Sequence, residues 1–381
     1  MKKIIIFILT LFSLFCFTKV NAVEMELGAK SAILIDQNTG KVLYNKNENE
    51  RLAPASMTKI MSLILIMEKL DDGSLRLDDK IEISTEASSM GGSQIFLNPG
   101  ESYLVKDLIK GVAMASANDA VVALAEKTYG SKEHFIEAMN KKAESLNLAN
   151  THFSNVHGLD EEGHYSSAYD MSIMARELLK HEQILDFTKV YEEYLTKPDG
   201  SQIWLVNTNK LVRFYDGVDG LKTGYTKKAG YCLTATAKKN NLRLISVVMG
   251  EESIEKRSSD TVKLLNYGFN TFKVNLIKDK NVSLGKIKVQ NGKKSSVDVV
   301  LVNDAIELLN VSDKPSDYQF KLNIDKVIAP VKKGDIIGKV KILDSNGKQI
   351  NEVDITINET ILKANLWDLF KRNLKYNLVW N

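Results

Sequence analysis

Ser56 and Lys59 stand three residues apart in Ser56-Met-Thr-Lys59. On a helix, positions i and i+3 share a face, so the lysine amine can reach the serine hydroxyl. A serine hydroxyl is a poor nucleophile until a neighbouring base takes its proton. Lysine can be that base when burial or a second cation depresses its pKa. The spacing alone is loose: Ser253…Lys256, Ser283…Lys286 and Ser345…Lys348 repeat it. Ser56 differs in falling at the first turn of an apolar run, where backbone N–H groups face developing negative charge. Ser116-Ala-Asn118 is a second candidate, two polar residues among the small ones of Ala113–Ala120. It also reads as a turn between helices, and Ser145-Leu-Asn147 has the same form. Lys222-Thr-Gly224 occurs once. A strand carrying a cation, a hydroxyl and a glycine can hold a carboxylate while substrate lies along its edge. It is not a phosphate loop, because Leu221 stands where that loop needs glycine before the lysine.

These residues need elements to position them. Residues 31–35 and 41–44 flank Asp36-Gln-Asn-Thr-Gly40 and read as a hairpin. A helix is expected from Ala55 to Leu70, with Ile60, Leu63, Ile64 and Met67 on one stripe and few polar residues elsewhere. That composition predicts a central, buried helix. Residues 106–129, 131–147 and 254–267 also read as helical, and 218–226, 230–237 and 242–249 as strands. The texture changes near Lys273. Residues 274–358 show short alternating strands with turns at Asn291-Gly292, Lys333-Gly334 and Asn346-Gly347, the pattern of a separate all-β domain. It offers no catalytic constellation.

Both ends of the chain carry membrane signals. Residues 1–22 have the basic pair Lys2 and Lys3, an apolar run from Ile4 to Phe17, and Val20-Asn21-Ala22, and so read as a secretory signal; an uncleaved anchor is the alternative. In 359–381, Leu362, Leu366, Leu369, Phe370 and Leu374 share one helical face, and Lys363, Lys371, Arg372 and Lys375 the other. With Trp367, Tyr376 and Trp380, this segment reads as an in-plane amphipathic anchor for an anionic membrane surface. The alternative is a helix packed on the β domain. A chain of 381 residues is long enough for two domains. Its 51 basic residues exceed its 48 acidic ones by the three lysines of residues 1–22. The remainder is neutral and has no general attraction for nucleic acid. Past the signal, Cys232 is the sole cysteine, which leaves no internal disulfide.

The three short motifs, in this order, resemble those of the serine-type D-alanyl-D-alanine carboxypeptidases, the low-molecular-mass penicillin-binding proteins of peptidase family S11. Residues 54–59 and 91–96, His157-Gly-Leu-Asp160, residues 164–170, residues 219–226 and Ala229-Gly-Tyr231 extend the resemblance over nearly the whole chain. It implies an α+β fold. A β-lactamase/DD-peptidase-like catalytic domain (antiparallel sheet, helices and a helical lobe) would span 23–273. A sandwich-like all-β domain over 274–358 and an anchor helix over 359–381 would follow.

The resemblance implies that Ser56 is acylated, that Lys59 is its base, and that Ser116 and Asn118 relay protons and hold the substrate amide. Lys222, Thr223 and Arg257 would bind the terminal carboxylate. Gly224 would let substrate approach, and the N–H groups of Ser56 and Tyr225 would form the oxyanion hole. Tyr225 stands where the family often has histidine. The substrate would be the stem pentapeptide of peptidoglycan, with β-lactams as inhibitors and no cofactor or metal. The enzyme would sit at the outer face of the cytoplasmic membrane and serve wall biosynthesis and cell shape. A β-lactamase would show a Glu-x-x-Leu-Asn pattern between Asn118 and Lys222, which is missing. His152, His157 and His164 lack the His-x-x-x-His spacing of a metallopeptidase and read as polar loop residues. A binding protein without turnover would have lost Ser56, Lys59 or Lys222.

Overall fold

In the computed structural model, residues 25–368 are described. β1 (Ser31–Asp36) and β2 (Val42–Lys46) form the expected hairpin, and a 3₁₀ turn over Ala55–Thr58 leads into α1 (Lys59–Asp71). β3 (Lys80–Glu82), α2 (Thr85–Ser88) and β4 (Ser102–Leu104) come next, then α3 (Val105–Ala115), α4 (Asn118–Tyr129) and α5 (Lys132–Ser145). α6 (Ala168–Leu178) and α7 (Leu185–Thr188) precede a hairpin of β5 (Glu192–Thr196) and β6 (Gln202–Val206). After α8 (Leu211–Phe214), the chain runs through β7 (Val218–Thr226), β8 (Gly230–Lys239) and β9 (Leu242–Glu251) into α9 (Ile254–Thr271).

β2-β1-β9-β8-β7 is one antiparallel sheet with helices on both faces. Alternation along β1 shows why. Ile33 and Ile35 join the core around α1, while Ala32 and Leu34 join the core under Leu264 and Leu265 of α9. The first nine residues of α1, Lys59 to Met67, are all buried, as its composition predicts. α1 is therefore the hub between the sheet and the helical lobe of α3, α4 and α5.

α9 passes directly into β10 (Phe272–Lys278), which pairs with β13 (Ala305–Asn310). β11 (Gly285–Lys288), β12 (Ser296–Leu301), β14 (Gln319–Ile324), β15 (Gly338–Leu343) and β16 (Gln349–Ile357) form a second five-stranded sheet in the order β11-β12-β16-β15-β14. Its core of Val297, Val299, Val340, Ile342, Ile355 and Ile357 is separate from the first two.

One sequence expectation changes here. Ile361 does not start a helix: it is buried in the β-domain core, and residues 361 and 363 bridge to Val331 and Gly292. Burying an isoleucine and pairing its backbone outweighs the helical periodicity read from the segment. Helical backbone begins at Leu366. The signal segment, and the expected anchor from Leu369 onward, lie outside the described residues.

Candidate active site

The turn that presents Ser56 is under constraint. Ala55 adopts φ +48°, a left-handed conformation uncommon outside glycine. Such a residue persists where its surroundings over-determine it. Two glycines supply those surroundings. A Cβ at Gly158 would lie 1.9 Å from the Ala55 carbonyl oxygen, and one at Gly224 would lie 2.9 Å from that of Pro54. The glycine of Lys-Thr-Gly is thus where β7 meets the serine turn. Behind it, the Thr58 hydroxyl donates to the Ala55 carbonyl at 2.8 Å and lies 2.7 Å from His164 Nε2. His164 Nδ1 accepts the Ser154 N–H, so Nε2 carries the proton and donates to Thr58. Burial holds His164 at about 4, hence neutral. The reading of His164 as a polar loop residue is corrected: it is a buried brace.

Lys59 Nζ lies 3.0 Å from Ser56 Oγ, 2.6 Å from Asn118 Oδ1 and 2.8 Å from the His157 carbonyl oxygen. Asn118 Nδ2 donates to the Gly91 carbonyl at 2.7 Å, which turns its Oδ1 toward the lysine. Asn118 Oδ1 and His157 O can only accept. A neutral amine has two N–H groups and one lone pair. An ammonium would donate to all three oxygens, Ser56 Oγ included; the neutral amine donates to two of them and offers its lone pair to the Ser56 hydroxyl. Electrostatics favours that state. Burial, then the charge of Lys222, holds Lys59 well below the ordinary lysine value against the pull of Asp119. Lys222 sits at about 7, lowered by burial and by Arg257.

The helix expected over 106–129 is broken at Ser116. α3 ends at Ala115, Ser116 turns left-handed at φ +64°, and α4 starts at Asn118. The Ser116 hydroxyl is buried with no partner among the described residues. On the sheet side, Lys222 and Thr223 of β7 are buried, and Thr223 Oγ1 donates to Thr208 Oγ1 at 2.8 Å. Arg257, in the first turn of α9, is close enough to Lys222 to depress its pKa, and its Nε is buried without a partner among the described residues. Buried basic side chains near a lysine-linked serine suit acyl transfer on a substrate with a free carboxylate.

The D-alanyl-D-alanine carboxypeptidase family matches residues 18–253, and the C-terminal domain of penicillin-binding protein 5 matches 272–363. The chain belongs to the D-alanyl-D-alanine carboxypeptidase family. D-alanyl-D-alanine carboxypeptidase DacF of Bacillus subtilis is 48% identical over 352 residues, 92% of this chain and 90% of that one. DacA of Escherichia coli is 34% identical over 90% and 86%. Penicillin-binding protein 5 from Haemophilus influenzae superposes with TM-score 0.69 at 32% identity, covering 89% of this chain and 99% of that one. Penicillin-binding protein D2 from Listeria monocytogenes, in its ampicillin-bound form, superposes at 0.58 with 30% identity, covering 64% and 98%.

The remaining motif matches in this carboxypeptidase have structural roles. Ser253 caps α9, its hydroxyl accepting the Lys256 N–H at 3.1 Å. Ser283 donates to Asp298, Ser145 donates back to the Lys142 carbonyl, and Ser345 lies in an exposed turn. Tyr225 is half exposed and stacks on Tyr231 with centroids 4.3 Å apart. In the sequence Asp119 reads only as a possible cap of the turn after Ser116. It is fully buried and accepts the N–H groups of Ile95 and Leu97, tying the 91–97 loop to α4. Its position directly after Asn118 was the available signal. The His157 carbonyl left none, because a backbone acceptor has no residue type.

Proposed function

We propose that this carboxypeptidase removes the terminal D-alanine of peptidoglycan pentapeptides through an acyl-enzyme on Ser56. The 3.0 Å contact of Ser56 Oγ with Lys59 Nζ, on a lysine that burial and Lys222 hold well below its ordinary pKa, carries the reading. Ser56 Oγ attacks the penultimate D-alanine carbonyl and its proton passes to Lys59 Nζ. The N–H groups of Ser56 and Tyr225 stabilise the oxyanion, an effect worth about 3–4 kcal/mol per donor. The amide C–N bond breaks, and the leaving amine takes a proton delivered through Lys59 and Ser116. Water then hydrolyses the ester. Asn118 holds the substrate amide, and Lys222, Thr223 and Arg257 bind the terminal carboxylate, so a free C-terminus is required.

β-Lactams would acylate the same serine. The ampicillin-bound form of the Listeria relative supports this. Residues 1–22 would export the chain, and the C-terminal segment would hold it at the outer face of the membrane, where trimming pentapeptides serves wall biosynthesis and cell shape. No helix among the described residues is long and apolar enough to cross a membrane.

Incubation with fluorescent penicillin and with diacetyl-Lys-D-Ala-D-Ala tests the nucleophile. Peptide mapping should place the label on Ser56, and Ser56→Ala should abolish both labelling and D-alanine release. Label on Ser253, or turnover surviving in Ser56→Ala, refutes the assignment.

A further inference from the structure

The two domains carry opposite charge. Residues 23–271 hold 29 basic and 35 acidic residues, whereas 272–363 hold 16 and 12. At the end of the β domain where the chain leaves it, three segments meet. Gln290 bridges Ile328, Gly292 bridges Lys363, and Val331 bridges Ile361. Backbone bonds run from Ala329 N to Gln290 O at 2.9 Å and from Lys293 N to Leu362 O at 2.9 Å.

Alternation along these segments sorts their side chains. Val327, Ala329, Val331 and Ile361 are buried in the core. Ile328, Pro330, Lys332 and Leu362 are therefore on the outward side and are exposed, as is nearby Ile336 at 62%. Lys293, Lys332, Lys333 and Lys363 surround them, and none makes an ion pair among the described residues. The acids near this tip are Glu359, paired with Lys294, Asp335, whose carboxylate accepts the Lys332 N–H, Asp325, whose N–H donates to the Ile337 carbonyl, and Asp368, whose carboxylate accepts the Asn365 N–H.

We infer that this tip of the β domain is itself a membrane-contact surface, fitted to the headgroup region of an anionic bilayer. Exposed isoleucines and a leucine ringed by lysines combine shallow apolar insertion with attraction to anionic lipid. The patch continues straight into Leu366, the start of the C-terminal segment, so both would meet the bilayer together. The acidic catalytic domain is repelled by the same surface, which favours contact through the β domain. The inference rests on the proposed membrane location but not on the helix as sole anchor.

The test uses the chain from Val23 to Asn381 with Ile328→Cys carrying an environment-sensitive fluorophore. Cys232 is fully buried and does not compete for label. Ser345→Cys, in the turn at the opposite end of β15 and β16, is the control. With mixed phosphatidylcholine and phosphatidylglycerol vesicles, the probe at 328 should shift to the blue and be quenched by lipid-borne quencher, while the probe at 345 stays unchanged. Lys332→Gln combined with Lys333→Gln should weaken vesicle partitioning about 10- to 30-fold and leave D-alanine release from a soluble peptide intact.

Sedimentation with vesicles while the 328 probe stays silent overturns the tip contact alone. Failure to sediment at low salt overturns the membrane location as well. A blue shift that appears without lipid and grows with protein concentration assigns the patch to a second copy, and a concentration-independent one assigns it to the chain's own C-terminal segment. Either result overturns the inference.

Discussion

The catalytic domain and the β domain differ most in what they bury. Lys59, Lys222, Arg257, Asp119, Asp170 and Asn118 are all inside the first, whereas Thr356 is the one buried polar residue of the second among the described residues. Removing charged groups from water is costly unless they are paired or change protonation state. The β domain avoids that cost with a core of valine and isoleucine. The catalytic domain accepts it at several places, and the buried basic residues Lys59, Lys222 and Arg257 are the ones near the Ser56 turn. A domain built only for stability would not assemble three buried cations. Burial first, and the charge of Lys222 second, hold Lys59 well below the ordinary lysine value, as a general base would need.

The largest effect should come from removing the base. Lys59→Met keeps about the same volume but leaves Asn118 Oδ1 and the His157 carbonyl without their donor. It should lower kcat/KM on diacetyl-Lys-D-Ala-D-Ala by about 10⁴-fold or more, with a modest fall in melting temperature and a folded chain. Substantial turnover surviving in the folded variant would show that Lys59 is structural only, as a β-domain residue would be.

Two glycines with similar backbones sharpen the comparison. Gly158 has φ +91° and Gly334 φ +97°. Gly158→Ala drives a Cβ into the Ala55 carbonyl, whereas nothing lies within 4 Å of a Cβ at Gly334. Gly334→Ala should cost about 1 kcal/mol, the strain of its φ alone. Gly158→Ala should cost about 4 kcal/mol or more, or displace Ser56 and abolish penicillin labelling. Equal losses in thermal unfolding would mean that the serine turn is no more constrained than a β-domain loop.

Arg257→Ala should reduce kcat/KM for peptides with a free C-terminus by about 2–5 kcal/mol if the lost pair is desolvated. Amidating the substrate should produce a similar loss in the wild type and little more in the variant. Simple addition of the two losses would place Arg257 outside the carboxylate pocket.

The mildest effect is on pH dependence. Lys222 at about 7 is cationic below that pH and neutral above it. Carboxylate binding should therefore weaken as pH rises past about 7, with kcat/KM falling by up to about tenfold per unit. A bound carboxylate favours the charged lysine, so kcat should persist to higher pH. Lys222→Arg should move this limb upward, because a guanidinium stays charged. Stability runs the other way: above about 7 the unfolded chain binds more protons at this lysine than the fold does, so the Lys222 contribution rises with pH until the ordinary lysine value is reached. A pH-independent KM would remove Lys222 from the carboxylate site.

From the sequence alone one could read the nearness of Ser56 to Lys59, the buried character of α1, the strand that carries Lys222, and the change of texture at the domain boundary. These follow from periodicities of 2 and 3.6 and from spacings within one element, which are local properties of a chain. Four matches to Ser-x-x-Lys share the same spacing, and only the apolar run after Ser56 set it apart at that level. Tertiary structure separated them, because only Ser56 is placed where α4, the 155–158 loop and β7 meet. The same convergence brought Asn118 and the His157 carbonyl to Lys59 and Arg257 to Lys222, across 35 residues and two elements. It also moved Ile361 from an expected helix into the β-domain core. A lysine's protonation depends on the water and charges removed from around it, and distant segments do the removing. The sequence by itself therefore determined which residues could react, and packing decided how far burial and neighbouring charge lower the pKa of each lysine.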